Sequence, residues 1–210
     1  MPRSRWFLVL FAGVTNIGVL LLPCFVVGWP TENDLPRLLM FLCLATLFCV
    51  GDALAPDNFF APPNSVPSST PDEARQRTLA LATGMTLLAI FWLTVVAIAQ
   101  HGSSPLWPIG GCAMLTGVLL RWAAIRTLGR QFRTEISIPA DHQLIVTGVY
   151  RWLRHPSEFG LLLISAGAGA FAGSWIGLLL TVGLLYPLMR LRLRCEEAEL
   201  IAAWGEQYSR

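Results

Sequence analysis

The stretch FGLLLISAGAGAFAGSWIGLLLTVGLLYPLM, residues 159–189, decides the fold, because its 31 residues carry no charge. As one α-helix it would be about 46 Å long, which exceeds a hydrocarbon core of about 30 Å. A break is therefore expected, and Gly173 and Ser174 supply it at the end of a run of small residues. The sequence predicts a tight helical hairpin with two short arms, neither of which needs to cross the bilayer fully.

The composition agrees with lipid as the solvent of this chain. Hydrophobic residues make up 54% of the 210 residues and charged residues only 13%, which is too little polar surface for a water-soluble globule. All 15 basic residues are arginine and the net charge is +2, so no basic stripe is available for nucleic acid. The five cysteines form no C-x-x-C pair, and the sequence predicts neither a metal site nor a disulfide framework.

Four further membrane spans are predicted before the hairpin: Trp6–Val27, Leu38–Ala55, Thr78–Gln100 and Pro105–Leu128. The first resembles a signal peptide but lacks a small-x-small cleavage site, so we expect it to be retained. Asp52 is expected near a membrane interface, and Arg121 and Arg126 are expected to extend to the lipid headgroups. The predicted fold is an all-α, polytopic transmembrane helical bundle of four spans and a C-terminal hairpin.

The arginine distribution predicts the orientation in the membrane. Arginines flank the N-terminus, the loop before the third span and the segment after the fourth, whereas the loop at 101–104 has none. The C-terminal third is therefore expected to be cytoplasmic. Arginine without lysine indicates a GC-rich bacterial genome, and hence a bacterial inner membrane.

The chain divides at residue 128 by this pattern. Residues 1–128 form the N-terminal helices, with a Pro-rich, non-helical loop at 55–77, and residues 129–210 form a C-terminal module around a hairpin at 156–200. Polar residues cluster on both sides of the hairpin, at 131–158 and 190–206. The hairpin is expected to bring the two clusters together at the cytoplasmic face.

The first cluster contains GVYRWLRHPSEFG, residues 148–160. Pro156 disfavours a helical His155 and suits the first helical position, so His155 is the predicted cap of the first arm. Glu158 then has two equally open readings: a carboxylate that reaches back to the cap or pairs with Arg154, or a residue of a binding pocket.

The second cluster contains RLRLRCEEAEL, residues 190–200, in which Arg192 and Glu196 are four residues apart and share a helix face. Solvated ion pairs explain these residues singly. A shared pocket explains why they gather where two membrane arms emerge. It offers a helix N-terminus for a carboxylate, acidic groups for an ammonium or sulfonium, and apolar walls for an adenine ring, which are the parts of S-adenosylmethionine.

The segment from Glu135 to Tyr208 resembles the isoprenylcysteine carboxyl methyltransferase and phospholipid methyltransferase group of membrane enzymes. Its pattern is L-V-x-x-G-x-Y-x-x-x-R-H-P-x-Y-x-G, a hydrophobic hairpin, then R-x-x-x-E-E and G-x-x-Y. The matching residues are Leu144, Gly148, Tyr150, Arg154, His155, Pro156, Gly160, Arg192, Glu196, Glu197, Gly205 and Tyr208. One departure is that Glu158 replaces the motif tyrosine.

The resemblance implies a set of site residues. Arg192, Glu196 and Arg154 are the catalytic candidates, and Arg192 faces the methyl acceptor. The implied ligands of S-adenosylmethionine are Glu135, His142, Gln143, Leu144, Ile145, Tyr150, His155, Pro156, Ser157, Glu158 and Glu196.

The expected function is methyl transfer from S-adenosylmethionine to a lipophilic acceptor, such as a membrane lipid, a prenylated carboxylate or a thiol. A carboxylate acceptor needs no general base, whereas a thiol or amine would use His155 or Glu158. Two alternatives stay open at this point. One is an NADPH-dependent reductase of the sterol and steroid type, which carries a related hairpin, and the other is a non-catalytic membrane binding protein.

Overall fold

The computed structural model describes residues 3–54, 71–101, 104–129 and 147–204, and this part of the chain is helical. The helices are α1 (Arg3–Val27), α2 (Leu35–Ala53), α3 (Pro71–His101), α4 (Trp107–Leu128), α5 (Pro156–Ala172), α6 (Trp175–Leu180) and α7 (Tyr186–Trp204). A 3-10 turn at Gly148–Arg151 precedes α5, and a π-helical turn at Thr181–Leu185 joins α6 to α7.

Within the described residues, four apolar helical segments are long enough to cross a bilayer: Leu35–Ala53, Thr78–Gln100, Trp107–Leu128 and Trp175–Ala198. Two shorter apolar segments, Gly13–Val27 and Pro156–Ala172, lie in α1 and α5. Large apolar side chains such as Val26, Leu81 and Val182 are exposed on the outside of the bundle, as lipid-facing residues are. The predicted class, an all-α polytopic membrane bundle, is confirmed.

The hairpin turns where the sequence predicts. Gly173 ends α5 with φ of 68°, a left-handed conformation that glycine adopts without strain. Ser174 then caps α6, and its hydroxyl oxygen accepts a hydrogen bond from the N–H of Gly177 at 3.2 Å.

The two arms are unequal, and the expectation of a short second arm is wrong. The first arm, α5, has 17 residues, whereas α6, the π-helical turn and α7 continue as one arm to Trp204. Pro187, which cannot donate to a helix, lies two residues after the π-helical turn. The helix changes to π-type hydrogen bonding just before the proline and continues instead of ending.

Helices α4 and α5 form the most extensive contact of the described bundle, and glycines make it possible. A Cβ added to Gly117 would lie 2.5 Å from the carbonyl oxygen of Gly160, and one on Gly160 would lie 2.7 Å from the carbonyl oxygen of Gly117. Gly167 similarly meets the backbone of Gly110. This close approach sets the start of α5 against the end of α4.

Helix α3 begins earlier than expected. It starts at Pro71, so residues 71–77 of the predicted loop at 55–77 are helical, while residues 55–70 lie outside the described residues. Proline at the first helical position leaves no N–H unpaired and has a backbone angle that suits a helix.

Arg121 does not extend to the headgroups as expected. It is only 6% exposed, and its guanidinium binds the carboxylate of Asp52 at the end of α2, with Nε–Oδ1 at 2.7 Å and Nη2–Oδ2 at 2.8 Å. The carboxylate on α2 stabilises the buried guanidinium, because charged side chains inside a membrane protein usually pair with each other. Arg126, one turn further on, is exposed.

Candidate active site

The candidate site lies at the end of the bundle where α2 and α4 end, α5 begins and α7 ends; we call this the site end. The opposite end holds the hairpin turn, where the Ser104 hydroxyl donates to the carbonyl oxygen of Ala170 at 3.3 Å. The site is thus built from the two segments that flank the hairpin, as the sequence predicts.

The first turn of α5 supplies one wall of the site. His155 is the cap residue with φ of −128°, and Pro156 is the first helical residue, as expected. The first N–H groups of a helix have no acceptor within it, and they carry a partial positive charge. This turn is therefore suited to bind a carboxylate.

Glu158, at the third helical position, does not act as the cap that one reading of the sequence predicts. Its Oε2 atom is buried and has no hydrogen-bond partner. Arg154, the other predicted partner, has an exposed side chain. A buried carboxylate oxygen without a donor is costly, so this atom is suited to receive a donor or a cation from a ligand.

Helix α7 supplies the opposite wall. Glu196 is half-buried and interacts electrostatically with His155, Glu158 and Arg192. The neighbouring Glu197 contacts the first arm directly, because its Oε1 lies 3.1 Å from Nε2 of His155. The two polar clusters that the sequence predicts to meet do meet.

Tyr150 lies on the 3-10 turn at Gly148–Arg151, which precedes α5 and packs against α4. Gly148, with φ of 60°, starts the turn against Thr127 of α4. Burial raises the pKa of Tyr150, and the nearby carboxylates of Glu196 and Glu158 raise it further. The phenol therefore stays protonated at neutral pH and is available as a hydrogen-bond donor.

Ser157 is hydrogen-bonded by Arg121, a residue for which the sequence indicated no role in the site. Nη1 of Arg121 donates to the hydroxyl oxygen of Ser157 at 2.8 Å, while the rest of the guanidinium binds Asp52. Opposite charges near the same end of two predicted spans were the available signal, since charges in membranes usually pair. Glu197 matches the motif, but the sequence assigned it no role. Its contact with His155 could not be predicted, because it depends on how the two arms pack.

Five implied cofactor ligands, Glu135, His142, Gln143, Leu144 and Ile145, lie outside the described residues, as do Gly205 and Tyr208 of the motif. Tyr150, His155, Pro156, Ser157, Glu158, Arg192 and Glu196 lie within them, at the site end. The fold defines an integral, multi-pass membrane protein, and a cluster of polar and charged residues forms a candidate site where its C-terminal hairpin emerges.

Comparison with known proteins shows which family the chain resembles. The sequence model of the isoprenylcysteine carboxyl methyltransferase (ICMT) family matches residues 110–202, which include most of α4, all of α5 and most of α7. Protein-S-isoprenylcysteine O-methyltransferase A of Arabidopsis thaliana is 30% identical over 131 residues, covering 60% of this chain and 66% of that protein. Over residues 110–202 the chain is similar to the isoprenylcysteine carboxyl methyltransferase family.

Other relatives share less of their length. Protein-S-isoprenylcysteine O-methyltransferase of Dictyostelium discoideum is 27% identical over 120 residues, which are 56% of this chain and 51% of the relative. The Tribolium castaneum protein of the same name is 31% identical over 102 residues, 48% of this chain and 36% of the relative. The chain thus spans about half or less of these two relatives.

The fold is also similar to a solved structure, that of the eukaryotic intramembrane Ras methyltransferase ICMT without a monobody. The TM-score is 0.56 with 21% sequence identity, and the match covers 98% of this chain and 77% of that chain. The likeness extends to the N-terminal helices, which the sequence motifs do not reach.

Proposed function

We propose that this protein is a membrane methyltransferase that transfers a methyl group from S-adenosylmethionine to a lipophilic acceptor, in the manner of a carboxyl O-methyltransferase. The observation that carries the proposal is the convergence of the two motif segments. Tyr150, His155 and Glu158 meet Glu196 and Glu197 at one end of the bundle, and the 3.1 Å contact between His155 and Glu197 joins them.

The described residues fit the cofactor. Oε2 of Glu158 is a buried acceptor without a donor, and Glu196 faces the same space. Two carboxylates favour a ligand with positive charge, and the first turn of α5 favours a ligand carboxylate. S-adenosylmethionine carries both kinds of group, and when bound it supplies an electrophilic methyl group on a positively charged sulfur.

Each residue has a proposed role in holding the reactants. Glu196 and Glu158 bind the positive charge of the donor, and His155, Pro156 and Ser157 present backbone and side-chain groups of the α5 turn. Arg192 lies one helical turn before Glu196 and orients an acceptor carboxylate through its planar fork of donors. Most of the rate enhancement then comes from alignment of donor and acceptor.

The acceptor class decides whether a base is required. A carboxylate is already ionised at neutral pH and needs no proton transfer. A thiol or an amine must lose a proton, and His155 and Glu158 are then the groups that accept it. Because the bundle exposes apolar faces to lipid, the acceptor reaches the site from the bilayer or its interface.

The orientation and compartment belong to the same proposal. The site end is placed on the cytoplasmic side of a bacterial inner membrane, following the arginine distribution. The reductase alternative is not favoured, since the dinucleotide phosphates of NADPH require cationic lining and Glu158, Glu196 and Glu197 are acidic.

A labelled-methyl transfer assay tests the proposal. The purified protein in nanodiscs is given S-adenosylmethionine with a tritiated methyl group and, separately, a prenylcysteine, a prenyl thiol and a lipid amine. We expect label to enter the organic phase with at least one acceptor, and base-labile label with the carboxylate. Transfer of tritium from labelled NADPH, with no methyl transfer to any acceptor, would overturn the proposal.

A further inference from the structure

Arg121 joins three helices beneath the candidate site. Its side chain starts on α4, its Nε and Nη2 atoms bind the carboxylate of Asp52 on α2, and its Nη1 atom donates to the hydroxyl oxygen of Ser157 on α5 at 2.8 Å. Nη1 also lies 3.4 Å from the carbonyl oxygen of Ser157. One planar group therefore holds both the side chain and the backbone of the second residue of α5.

The surroundings fix the guanidinium in one orientation. Arg121 is 6% exposed and Ser157 is 8% exposed, and the Arg121 Cζ atom lies 5.6 Å from the ring centroid of Phe48. Bidentate binding to Asp52 fixes the plane of the group, and the ring packs near it. Few other orientations of Arg121 are compatible with these contacts.

The direction of the hydrogen bond sets the polarity of Ser157. Arginine has donors and no acceptor, so the hydroxyl oxygen of Ser157 must accept from Arg121. The single hydroxyl hydrogen of Ser157 is thereby turned away from the guanidinium and left to be donated elsewhere. Arg121 thus determines what Ser157 offers to a ligand as well as where Ser157 lies.

We propose that Arg121 is a positioning residue for the donor site: anchored by Asp52, it holds the first turn of α5 through Ser157 in the conformation that binds S-adenosylmethionine. This inference rests on the proposed function for the identity of the ligand. Arg121 does not touch the reactants in this account. It acts through Ser157. Its buried ion pair with Asp52 therefore orients a site residue in addition to joining α2 to α4.

A structural role alone predicts a different result from a positioning role. A pair that only joins α2 to α4 needs a charge at position 121, and lysine provides one. Positioning needs the fork, because a lysine ammonium that binds Asp52 cannot also reach Ser157 in the same plane. Arg121→Lys therefore separates the two roles, and Arg126→Lys on the same helix is the matched control, since Arg126 is exposed.

The test uses the full chain in nanodiscs with two readouts. Hydrogen exchange of the amides at 159–162, the first of α5 with acceptors in its first turn, reports the order of the turn without any ligand, and calorimetry with S-adenosylhomocysteine reports binding. For Arg121→Lys we expect exchange to be about tenfold faster at these amides and binding about tenfold weaker, the loss of one charge-assisted hydrogen bond. The melting temperature should stay within about 4 °C of the parent, and Arg126→Lys should change neither readout.

A double-mutant cycle with Ser157→Ala keeps the inference testable if Arg121→Lys folds poorly, because Ser157→Ala leaves the pair with Asp52 in place. Both single variants should speed exchange at 159–162, and the double variant should be no worse than the worse single one. Unchanged exchange in Ser157→Ala, or additive effects in the cycle, would overturn the inference. If the parent protein binds no S-adenosylhomocysteine, the proposed function fails, and the exchange data still decide the role of Arg121.

Discussion

At the scale of single residues, Glu158 is where this chain departs from the motif of the family that it resembles. A carboxylate replaces the tyrosine, its Oε2 atom is buried without a partner, and Glu196 lies close enough to interact with it. Two acidic groups in one site repel each other unless a cation lies between them. The departure therefore increases the preference of the site for a positively charged ligand.

Glu158→Tyr should weaken the binding of S-adenosylmethionine about tenfold, or about 1.4 kcal/mol, relative to S-adenosylhomocysteine. The reason is that only the former has a charged sulfur, so loss of the carboxylate affects it more. Competition between the two ligands measures the ratio, and Glu158→Gln, which removes the same charge without adding a ring, should show the same loss. An unchanged ratio in both variants would mean that Glu158 does not contact the charged sulfur of the donor.

The sequence was informative about such residues where a motif fixed their order, and less so where partners came from other helices. His155 and Pro156 could be placed at the start of α5 because proline restricts its neighbour. The partner of Arg121 could not be assigned from sequence, because Asp52 is 69 residues away and the depth of each residue depends on how α2 and α4 pack. The spacing would allow Oε2 of Glu158 to accept a hydrogen bond from the N–H of His155, yet this oxygen has no hydrogen-bond partner. Sequence spacing alone does not reveal that difference.

At the scale of helices, the α4–α5 pair positions the site. Gly117 and Gly160 place backbone against backbone, so that Arg121, one turn after Gly117, reaches Ser157. The turn at Gly173 and Ser174 was predicted because a break is obligatory in so long an apolar run. The length of the second arm was not, since the continuation of the helix past Pro187 depends on the π-helical turn.

Alanine at Gly117 or Gly160 should destabilise the protein by about 1–3 kcal/mol, because the new methyl group meets backbone that cannot turn aside. Thermal unfolding in one detergent measures the loss. Gly84→Ala on α3 is the control, since an added Cβ there has nothing within 4 Å, and it should be neutral or slightly stabilising. If Gly160→Ala melts like the parent, the close contact of α4 and α5 is not as described.

At the scale of the whole molecule, every described helix end that carries site residues lies at one end of the bundle. The arginine distribution predicts that the loop before the third span and the segment after the fourth lie on the same side of the membrane. The Asp52–Arg121–Ser157 contacts agree, because they place the end of α2 and the last turns of α4 beside the start of α5. We propose that this end lies on the cytoplasmic side of the membrane.

Thiol labelling tests that side. In a variant that keeps Cys195 and lacks the other four cysteines, a reagent that cannot cross membranes should label Cys195 only from the cytoplasm, because the arginines at 190–194 anchor this helix end inside. Glu32→Cys in the cysteine-free protein is the control and should be labelled only from outside, as Glu32 is exposed between α1 and α2. Outside labelling of Cys195 would reverse the orientation.

The central claim is that Glu196 binds the donor and Arg192, one turn away on α7, orients the acceptor, and calorimetry with S-adenosylhomocysteine on variants of these two residues tests it most directly. Glu196→Gln should weaken binding roughly tenfold to 150-fold, the value of a charge-assisted hydrogen bond of about 1.5–3 kcal/mol. Arg192→Lys should leave binding within about threefold of the parent and instead lower turnover with a carboxylate acceptor. Normal binding and normal turnover in both variants would contradict the account, and the two residues would then form a surface pair worth at most about 1 kcal/mol.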